Sequence, residues 1–405
     1  MNLQNPLSIL PSEINRDIFL RLEGKQLIIA QFVSKEWCSF IDNIKLSYTG
    51  QPQFLILSPG MKYDEEQISR EVRSISLDLC RERLSQFTGH LSFGKPAEED
   101  CMHRFGNAFK LRILCSGCGF VLLHIGEHII LWNPHTSWST KVLELQGLQD
   151  EDYTVVGGLC YDPSISDHKV VILLSHSTPD YGGQCVYFSS LKNKGWQQVP
   201  FPYNYMTSRG GVNFNNTLHW IVSDVEKPDW DPDYYDSYYY EYYMKWDNLA
   251  GCNKIVYFDP IDDAFKTLPS PTRINPDEED SIVGTGIIDG CFCMARKDEN
   301  RQVIRVSLMK EYGILESWVT SFAISMMRFE PFHIYNLKFM SQNGKVFMMC
   351  DFSLRTYVYD VEEDKLEEAF LLGDNRGSIY YYGCLSCFYV ESFDLPREVS
   401  WPEGR

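Results

Sequence analysis

Two Cys-x-x-Cys pairs have the residue type and spacing that could bind a metal ion: Cys115–Cys118 and Cys384–Cys387. Four thiolates brought together would suit structural zinc, which takes four sulfur or nitrogen ligands in a tetrahedral arrangement. Both pairs lie in strand-like sequence, however, where residues i and i+3 face opposite sides of a sheet. Zinc ligands normally converge from a turn, so we interpret these cysteines as buried thiols that bind no metal.

Three aspartates have the spacing that begins a calcium-binding loop: Asp229, Asp231 and Asp233. The sixth position of such a loop needs glycine for a sharp turn, but it is Tyr234 here, and Glu241 falls one residue beyond the last position. The sequence also contains no G-x-S-x-G elbow and no Gly-rich phosphate loop. We therefore expect no catalytic residues, no cofactor and no metal, and we do not expect an enzyme.

The segment around these aspartates, residues 224–247, has the composition of a protein-binding surface. It contains eight acidic residues and two lysines, together with seven tyrosines and two tryptophans. Tyr and Trp provide contact area at low entropic cost, and carboxylates beside them suit a basic partner. Acidic runs are also typical of solvated loops, and this second interpretation stays open. The predicted target-binding residues are Trp230, Tyr234, Tyr235, Tyr239, Tyr242 and Trp246.

The overall charge favours the same kind of partner. Asp and Glu total 55 against 37 for Lys and Arg, a formal net charge of −18, and further acidic runs occupy 276–280 and 361–368. A field of this sign repels phosphate backbones and anionic lipids, so we expect neither nucleic acid nor membrane as a partner. The 13 cysteines have no framework spacing, which predicts reduced thiols and a location in the cytoplasm or nucleus.

The elements that must position these residues are short strands, and one unit of them recurs. A strand that ends near an aromatic or aliphatic residue is followed by a polar turn and a second strand, at intervals of 50 to 71 residues. The aligned positions are Trp132, Tyr187, Phe258, Leu308 and Tyr359. A second kind of strand, which often follows Gly, lies between them at 118–126, 211–224, 290–296, 344–352 and 383–390. A period near 50 residues with about four strands predicts a kelch-like β-propeller of about six or seven blades.

The first part of the chain is different, because residues 10–41 have helical periodicity. Ile14, Ile18 and Leu22 recur every four residues on one helical face, and Pro11 suits a first helical turn. Three short helices within about 32 residues cannot bury all of their apolar side chains among themselves. Some of these side chains must therefore pack against the rest of the chain or against another protein.

These stretches together resemble a known family. LPSEINRDIFLRL and FVSKEWCSFI resemble the F-box, and the remaining chain resembles the F-box-associated, kelch-like domain of plant F-box proteins. The β stretches that carry the resemblance are LWNPHT, YDPSISDHKVV, VYFSSLKNKGW, GVNFNNTLHWI, VYFDP and VSLMKEYGILESW. The resemblance covers nearly the whole chain and implies a fold that is mostly β, with a small three-helix head. It divides the chain into 1–45 (F-box), 46–105 (connecting region with an irregular first blade), 106–395 (propeller) and 396–405 (tail).

The resemblance also implies a function and a set of docking residues. In this family the F-box binds the Skp-type adaptor, and through it the cullin, of a Skp–cullin–F-box ubiquitin ligase. By position the adaptor-binding residues are Leu10, Pro11, Ile14, Ile18, Leu22, Val33 and Trp37. This chain departs from the family's pattern at Glu23 and Gly24, where Pro and an apolar residue are usual, and this change is expected to loosen the turn between helices.

The resulting prediction is a non-catalytic substrate receptor that presents a target protein for ubiquitination and degradation. One subgroup, the S-locus type of self-incompatibility, is acidic and recognises basic secreted ribonucleases, and the charge of this chain suits such a partner among other basic targets. The alternative is a propeller that acts as an interaction scaffold or lectin-like binder, whose helical head is only structural.

Overall fold

A computed structural model describes part of the head and most of the strands. The described residues are 11, 14–15, 18–19, 30, 33, 37, 40–41, 52–63, 67–76, 86–94, 111–125, 128–134, 138–144, 153–176, 185–192, 195–201, 205–206, 211–223, 252–271, 280–298, 300–329, 337–350, 355–370 and 386–390. Of the strands before residue 100, only the backbone pairing is described.

The strands of the β region form units of four antiparallel strands, numbered here 1 to 6. Unit 1 contains β1 (Pro52–Tyr63), β2 (Gln67–Ser76), β3 (Gln86–Gly94) and β25 (Ser386–Val390). Unit 2 contains β4 (Leu111–Gly117), β5 (Phe120–Ile125), β6 (His128–Asn133) and β7 (Trp138–Glu144). Unit 3 contains β8 (Tyr153–Asp162), β9 (Asp167–His176), β10 (Cys185–Ser190) and β11 (Gln197–Val199).

The last three units follow the same order. Unit 4 contains β13 (Val212–Phe214), β14 (Thr217–Ser223), β15 (Cys252–Asp259) and β16 (Ala264–Leu268), and β12 (Tyr205–Met206) pairs with β14. Unit 5 contains β17 (Asp280–Ile288), β18 (Cys291–Asp298), β19 (Val303–Met309) and β20 (Trp318–Ser325). Unit 6 contains β21 (Leu337–Gln342), β22 (Lys345–Cys350), β23 (Arg355–Asp360) and β24 (Lys365–Phe370). The predicted mostly-β region is confirmed.

Short turns with a clear sequence code join the first and second strands of four units. Both turn residues have positive φ, which matches the right-handed twist of a two-residue hairpin and favours Asn, Asp and Gly. The turns are Cys118–Gly119, Asn215–Asn216, Asp289–Gly290 and Asn343–Gly344. Cys118 therefore lies in a turn, whereas the sequence suggested that it continues a strand.

A second turn code begins with aspartate. In three turns the Asp Oδ1 atom accepts the backbone N–H of the residue two positions later, at 2.8 to 3.1 Å, and the residue four positions later has positive φ. The pairs are Asp162 and Ser166, Asp259 and Asp263, and Asp360 and Asp364. The same local chemistry therefore shapes hairpins in units 3, 4 and 6.

The first strands of neighbouring units approach one another closely. β17 and β21 pair in parallel from Gly284 with Leu337 to Ile287 with Met340. A Cβ atom on Gly286 would lie 2.3 Å from the carbonyl oxygen of Phe339, so only glycine permits this pairing. β4 of unit 2 and β13 of unit 4, which are not successive units, are also parallel, where Ser116 pairs with Val212.

The hydrophobic core lies between successive units from unit 2 to unit 6. Each pair of neighbours shares one cluster of buried side chains, because each sheet has apolar residues on both faces. Representative members, in order along the chain, are Leu122 and Ile172, Val171 and Trp220, Ile255 and Met294, and Val306 and Tyr359.

The recurring sequence unit corresponds to the third and fourth strands of a unit. Trp132, Phe258, Leu308 and Tyr359 are each the next-to-last residue of a third strand, whereas Tyr187 is the third residue of β10. The Gly-led stretches contain second strands, and the 211–224 stretch also contains the first strand β13. One stretch is an exception that corrects the sequence pattern. Strand β25, from the 383–390 stretch, is the terminal strand of unit 1, and among the described strands it pairs with β1 alone, where Pro52 faces Val390.

Candidate protein-docking surfaces

The first helix of the head has one buried and one exposed face. Asn15 and Phe19 are buried, and the backbone N–H groups of Ile14 and Asn15 both donate to the carbonyl of Pro11 at 3.1 Å. Ile14 and Ile18, one residue before each buried position, are both 46% exposed. A helix repeats about every 3.6 residues, so these two isoleucines form an apolar stripe beside the buried face.

The third helix completes a small core against this first helix. The Phe19 ring lies 5.0 Å from the Trp37 ring, edge to face, and 5.6 Å from the Phe40 ring. Ile41 is fully buried, and Trp37 is half-buried. Between the helices, Val33 lies in a turn and is 59% exposed.

The structure thus places five of the seven predicted adaptor-binding residues. Pro11, Ile14, Ile18 and Val33 are exposed and Trp37 is half-buried, while Leu10 and Leu22 lie outside the described residues. Exposure of an aliphatic side chain to water costs roughly 25 cal/mol per Å² of apolar surface. Binding of a partner that covers this stripe is therefore favoured.

The six predicted target-binding residues, all within 230–246, lie outside the described residues, but the origin of their segment is defined. Ser223 and Cys252 are paired in the ladder between β14 and β15, so the segment between them leaves and returns at one point. This point is at the far end of β14 from the Asn215–Asn216 turn. We call the end of the strands that carries the two-residue turns the turn end, and the other the connection end.

Contacts between units show that their turn ends coincide. The Asn213 side chain of β13 donates to the carbonyl of Leu159 in β8 at 2.6 Å, and the Gly211 N–H lies 3.4 Å from the carbonyl of Gly157. Both contacts advance in the same direction, so β8 and β13 run parallel. The Tyr312 hydroxyl of unit 5 reaches Thr217, next to the turn of unit 4, at 3.1 Å.

A buried ion pair joins the turn ends of units 3 and 4. The Lys169 Nζ atom lies 2.8 Å from a carboxylate oxygen of Asp162 and 2.6 Å from one of Asp263, and it donates to the carbonyl of Pro260 at 2.5 Å. Burial alone would lower the pKa of Lys169, but the bonds to both aspartates outweigh it and raise that pKa. The lysine is therefore a charged structural bridge between two of the Asp-coded turns.

A histidine–tyrosine pair joins the turn ends of units 4 and 5. Tyr312 donates to His219 Nε2 at 2.6 Å, and His219 Nδ1 donates to the carbonyl of Val212 at 3.1 Å. Burial lowers the pKa of His219 to about 4, although its backbone hydrogen bonds oppose this effect. Burial also raises the pKa of Tyr312 to about 12, so both groups are neutral at pH 7.

The acidic runs lie on different ends of the β region. Residues 361–364 form the β23–β24 turn at the turn end of unit 6, where Asp364 is paired with Arg328 at 2.8 Å. The 276–280 run is outside the described residues except Asp280, which begins β17 at the connection end. The 361–364 run is therefore at the opposite end of the strands from Ser223 and Cys252, whereas Asp280 is at the same end as those two residues.

The described residues show no group of three or more His, Cys, Asp or Glu side chains placed to hold a metal ion. Cys115 is fully buried in β4, and burial raises the pKa of its thiol to about 12. The seven cysteines whose side chains are described form no disulfide among themselves. No helix among the described residues is long and apolar enough to cross a membrane.

Comparison with known proteins identifies the head. A family model for the F-box domain matches residues 7–48. F-box protein CPR1 of Arabidopsis thaliana is 23% identical over 350 residues, which cover 78% of this chain and 73% of the relative. An F-box/kelch-repeat protein of Arabidopsis thaliana is 27% identical over 210 residues, 49% of each chain. A chain in the crystal structure of a nidogen/laminin complex has a TM-score of 0.41 at 11% identity, over 79% of this chain and 94% of that chain.

These matches confirm the F-box prediction and a homology, at low identity, to plant F-box proteins. They also confirm the non-catalytic class, since F-box proteins are substrate adaptors. An F-box implies that a Skp-type adaptor is a binding partner.

Proposed function

We propose that this chain, an F-box protein with a β-rich C-terminal region, is the substrate-recognition subunit of a Skp–cullin–F-box ubiquitin ligase. Its head binds the adaptor, and its β region binds a target protein. The chain itself does not catalyse the covalent attachment of ubiquitin. It raises the local concentration of target lysines near the ubiquitin-conjugating machinery.

The exposed aliphatic stripe of the head carries this proposal. Phe19, Trp37 and Phe40 already form the small core of the head, yet Ile14 and Ile18 remain 46% exposed. A head that served only to pack against the β region would bury this stripe there. The exposure therefore favours an adaptor-binding head over the structural head of the scaffold or lectin-like alternative.

The β region in this proposal is a closed six-bladed propeller, with one blade for each four-stranded unit. Two observations support closure: the core continues between successive units, and the C-terminal strand β25 completes the unit that begins with β1. The Ser116 hydroxyl of unit 2 also donates to the carbonyl of Phe388 in β25. Pairing the two chain ends in one blade is a common way to close such a ring, which otherwise has exposed edges.

The adaptor test is a charge reversal of the stripe in the full chain. The double variant Ile14→Asp, Ile18→Asp is expected to weaken binding of a purified plant Skp-type adaptor by at least about 30-fold, because two apolar anchors become charged. The measurement is calorimetric Kd determination. Ile165→Asp is the matched control, because Ile165 is 48% exposed in a turn of the β region.

Two outcomes would contradict adaptor binding by the stripe. One is unchanged adaptor binding by the stripe variant. The other is a lowered melting temperature of the whole β region in that variant, which is the behaviour of a purely structural head and would favour the scaffold alternative.

The finer part of the proposal concerns the target. Target binding is assigned to residues 230–246 at the connection end, through Trp230, Tyr234, Tyr235, Tyr239, Tyr242 and Trp246, and the acidic charge suits a basic protein. A basic secreted ribonuclease of the S-locus kind is one candidate. Replacing residues 230–243 by a Gly/Ser linker is expected to abolish capture of such a ribonuclease while adaptor affinity stays constant; unchanged capture would remove the segment from the recognition surface.

A further inference from the structure

We propose that the adaptor held by the head makes a second contact with the β region, at an aliphatic patch on the turn end of unit 5. The patch consists of Ile314, Leu315 and Val319, with Ile261 of unit 4 beside it. This inference rests on the proposed adaptor-binding function and adds a second site to it.

The patch belongs to a loop that its own bonds hold in one conformation. The Lys310 N–H donates to the carbonyl of Ser317 at 3.1 Å, and the Ser317 hydroxyl lies 2.8 Å from the carbonyl oxygens of Glu311 and Ile314. The Gly313 N–H points to the Met309 sulfur at 3.1 Å, with the glycine at a φ of +82°. A binding surface that is already ordered loses little entropy when a partner arrives.

Two inward-pointing side chains anchor the same loop to unit 4. Tyr312 bonds His219 at 2.6 Å, and the Trp318 indole N–H donates to the carbonyl of Pro269 at 2.8 Å. The Tyr312 ring also packs against Phe214, and the Trp318 ring packs against the buried Phe292. The packing needs of this loop are therefore met without the three aliphatic residues of the patch.

Those three aliphatic residues instead face solvent. Ile314 is 46%, Leu315 44% and Val319 52% exposed, and they lie within six consecutive positions. Single exposed apolar residues are ordinary, but a group on a rigid loop marks an interaction site. Ile261 is 60% exposed in the turn after β15, and the Tyr257 ring of β15 lies 6.4 Å from the Tyr312 ring, so the turn and the loop belong to neighbouring strands.

The occupant follows from where the head joins the β region. β1 begins at Pro52, which pairs with Val390, the last residue of β25. In the proposed closed ring, β25 takes the place of the first strand of unit 1 beside β4, so its last residue, Val390, and the paired Pro52 lie at the turn end. The head therefore enters on the side of the patch, and any protein bound to the head is held there.

The reach of the connection permits this contact. Ten residues lie between Ile41 and Pro52, so these two residues are at most about 40 Å apart. A partner tethered over such distances has an effective concentration of about 1 mM at the second surface. The stripe and the patch are both exposed in the unbound chain, so neither covers the other.

The test is the double variant Ile314→Asp, Leu315→Asp in the full chain, with calorimetric titration of a purified plant Skp-type adaptor. We expect Kd to rise about tenfold, which is less than the loss from the stripe variant, because the second contact is weaker and depends on the first. Met327→Asp is the matched control: Met327 is 87% exposed but follows the far end of β20. The control is expected to bind like the wild type.

A second arm tests the tether independently of the patch residues. Inserting 20 Gly/Ser residues before Pro52 is expected to raise Kd about fivefold if both contacts form together, since effective concentration falls with about the −3/2 power of linker length. In the patch variant, the same insertion should cause no further rise in Kd beyond that of the patch variant alone.

The outcomes separate this inference from the proposed function. If the wild type and the patch variant bind the adaptor with the same Kd, the second contact is overturned and the ligase role stays intact. Wild-type chain that does not bind adaptor at all overturns the ligase role. Equal melting temperatures of the variant and the wild type exclude misfolding as the cause of a raised Kd.

Discussion

The head and the β region treat their apolar residues in opposite ways. Between units 2 and 6, Val, Ile, Leu and aromatic side chains fill the spaces between neighbouring sheets. In the head, Phe19 and Ile41 are buried, whereas Ile14 and Val33 are more than two-fifths exposed. The β region buries its apolar side chains for its own stability, whereas the head leaves some of its apolar side chains exposed for association with a partner. Substitutions should therefore affect stability in one region and binding in the other.

The largest stability effect is expected at the parallel contact of units 5 and 6. In Gly286→Ala the added Cβ would lie 2.3 to 2.7 Å from backbone atoms of Phe339, which cannot move aside like a flexible side chain. We expect the free energy of unfolding to fall by more than about 3 kcal/mol. Chemical denaturation measures the loss.

The control for this variant is Gly290→Ala. Gly290 has a φ of +70° and nothing near its Cβ position, so only backbone strain of about 1 kcal/mol is expected. Equal losses for the two variants would mean that steric contact between β17 and β21 is not what requires glycine.

A smaller effect is expected at the ion pair that joins units 3 and 4. Lys169→Met leaves the buried carboxylate of Asp162 without its cation, which we expect to cost about 3 kcal/mol of the free energy of unfolding. Lys266→Met removes a more exposed lysine that is paired with Asp259 within unit 4, and no measurable change is expected there. Denaturation midpoints of the two variants test whether burial, and not pairing alone, decides the effect.

The smallest effect is a pH dependence at the junction of units 4 and 5. The pKa of His219 is about 4 in the folded chain and near 6.5 when unfolded, so the unfolded state binds a proton first as pH falls. The stability that neutral His219 provides is complete above about pH 6.5 and decreases toward pH 4. The expected loss between pH 7 and pH 5 is about 2 kcal/mol.

His219→Gln provides the comparison for that pH profile, because glutamine does not titrate in this range. Subtracting its pH profile from that of the wild type removes the effects of the acidic groups elsewhere in the chain. Parallel profiles from pH 7 to pH 5 would show that His219 titrates as it does in water. In contrast to Gly286→Ala, Lys169→Met and His219→Gln, the stripe variant of the head should leave the unfolding free energy unchanged.

Local sequence codes were sufficient for the turns and for the repeat. Asn343–Gly344 and Asp289–Gly290 adopt the two-residue turns that such pairs favour, because these residues tolerate positive φ. The repeat placed Phe258 and Tyr359 at equivalent positions in their strands, since alternation and turn spacing are local properties. The exposed stripe at Ile14 and Ile18 was likewise visible as a four-residue period.

The sequence did not predict contacts between residues that are far apart in the chain. β25 reads like the Gly-led second strands, but it pairs with β1, more than 300 residues earlier in the chain. Lys169 reads as a surface residue in a polar turn, yet two carboxylates from different units surround it. The patch at Ile314 and Leu315 was also missed, because apolar letters in a loop do not show which side chains face inward.

The sequence by itself therefore determined the F-box head, the strand repeat and the turn types, because each is built from short stretches whose residues are near one another in the chain. Only the tertiary structure decided which strand completes unit 1, which charges are buried and which end of the strands each connection leaves. It also left Ile314, Leu315 and Val319 in solvent while Tyr312 and Trp318 turned inward. These outcomes depend on which units become neighbours, and that depends on packing across the whole chain.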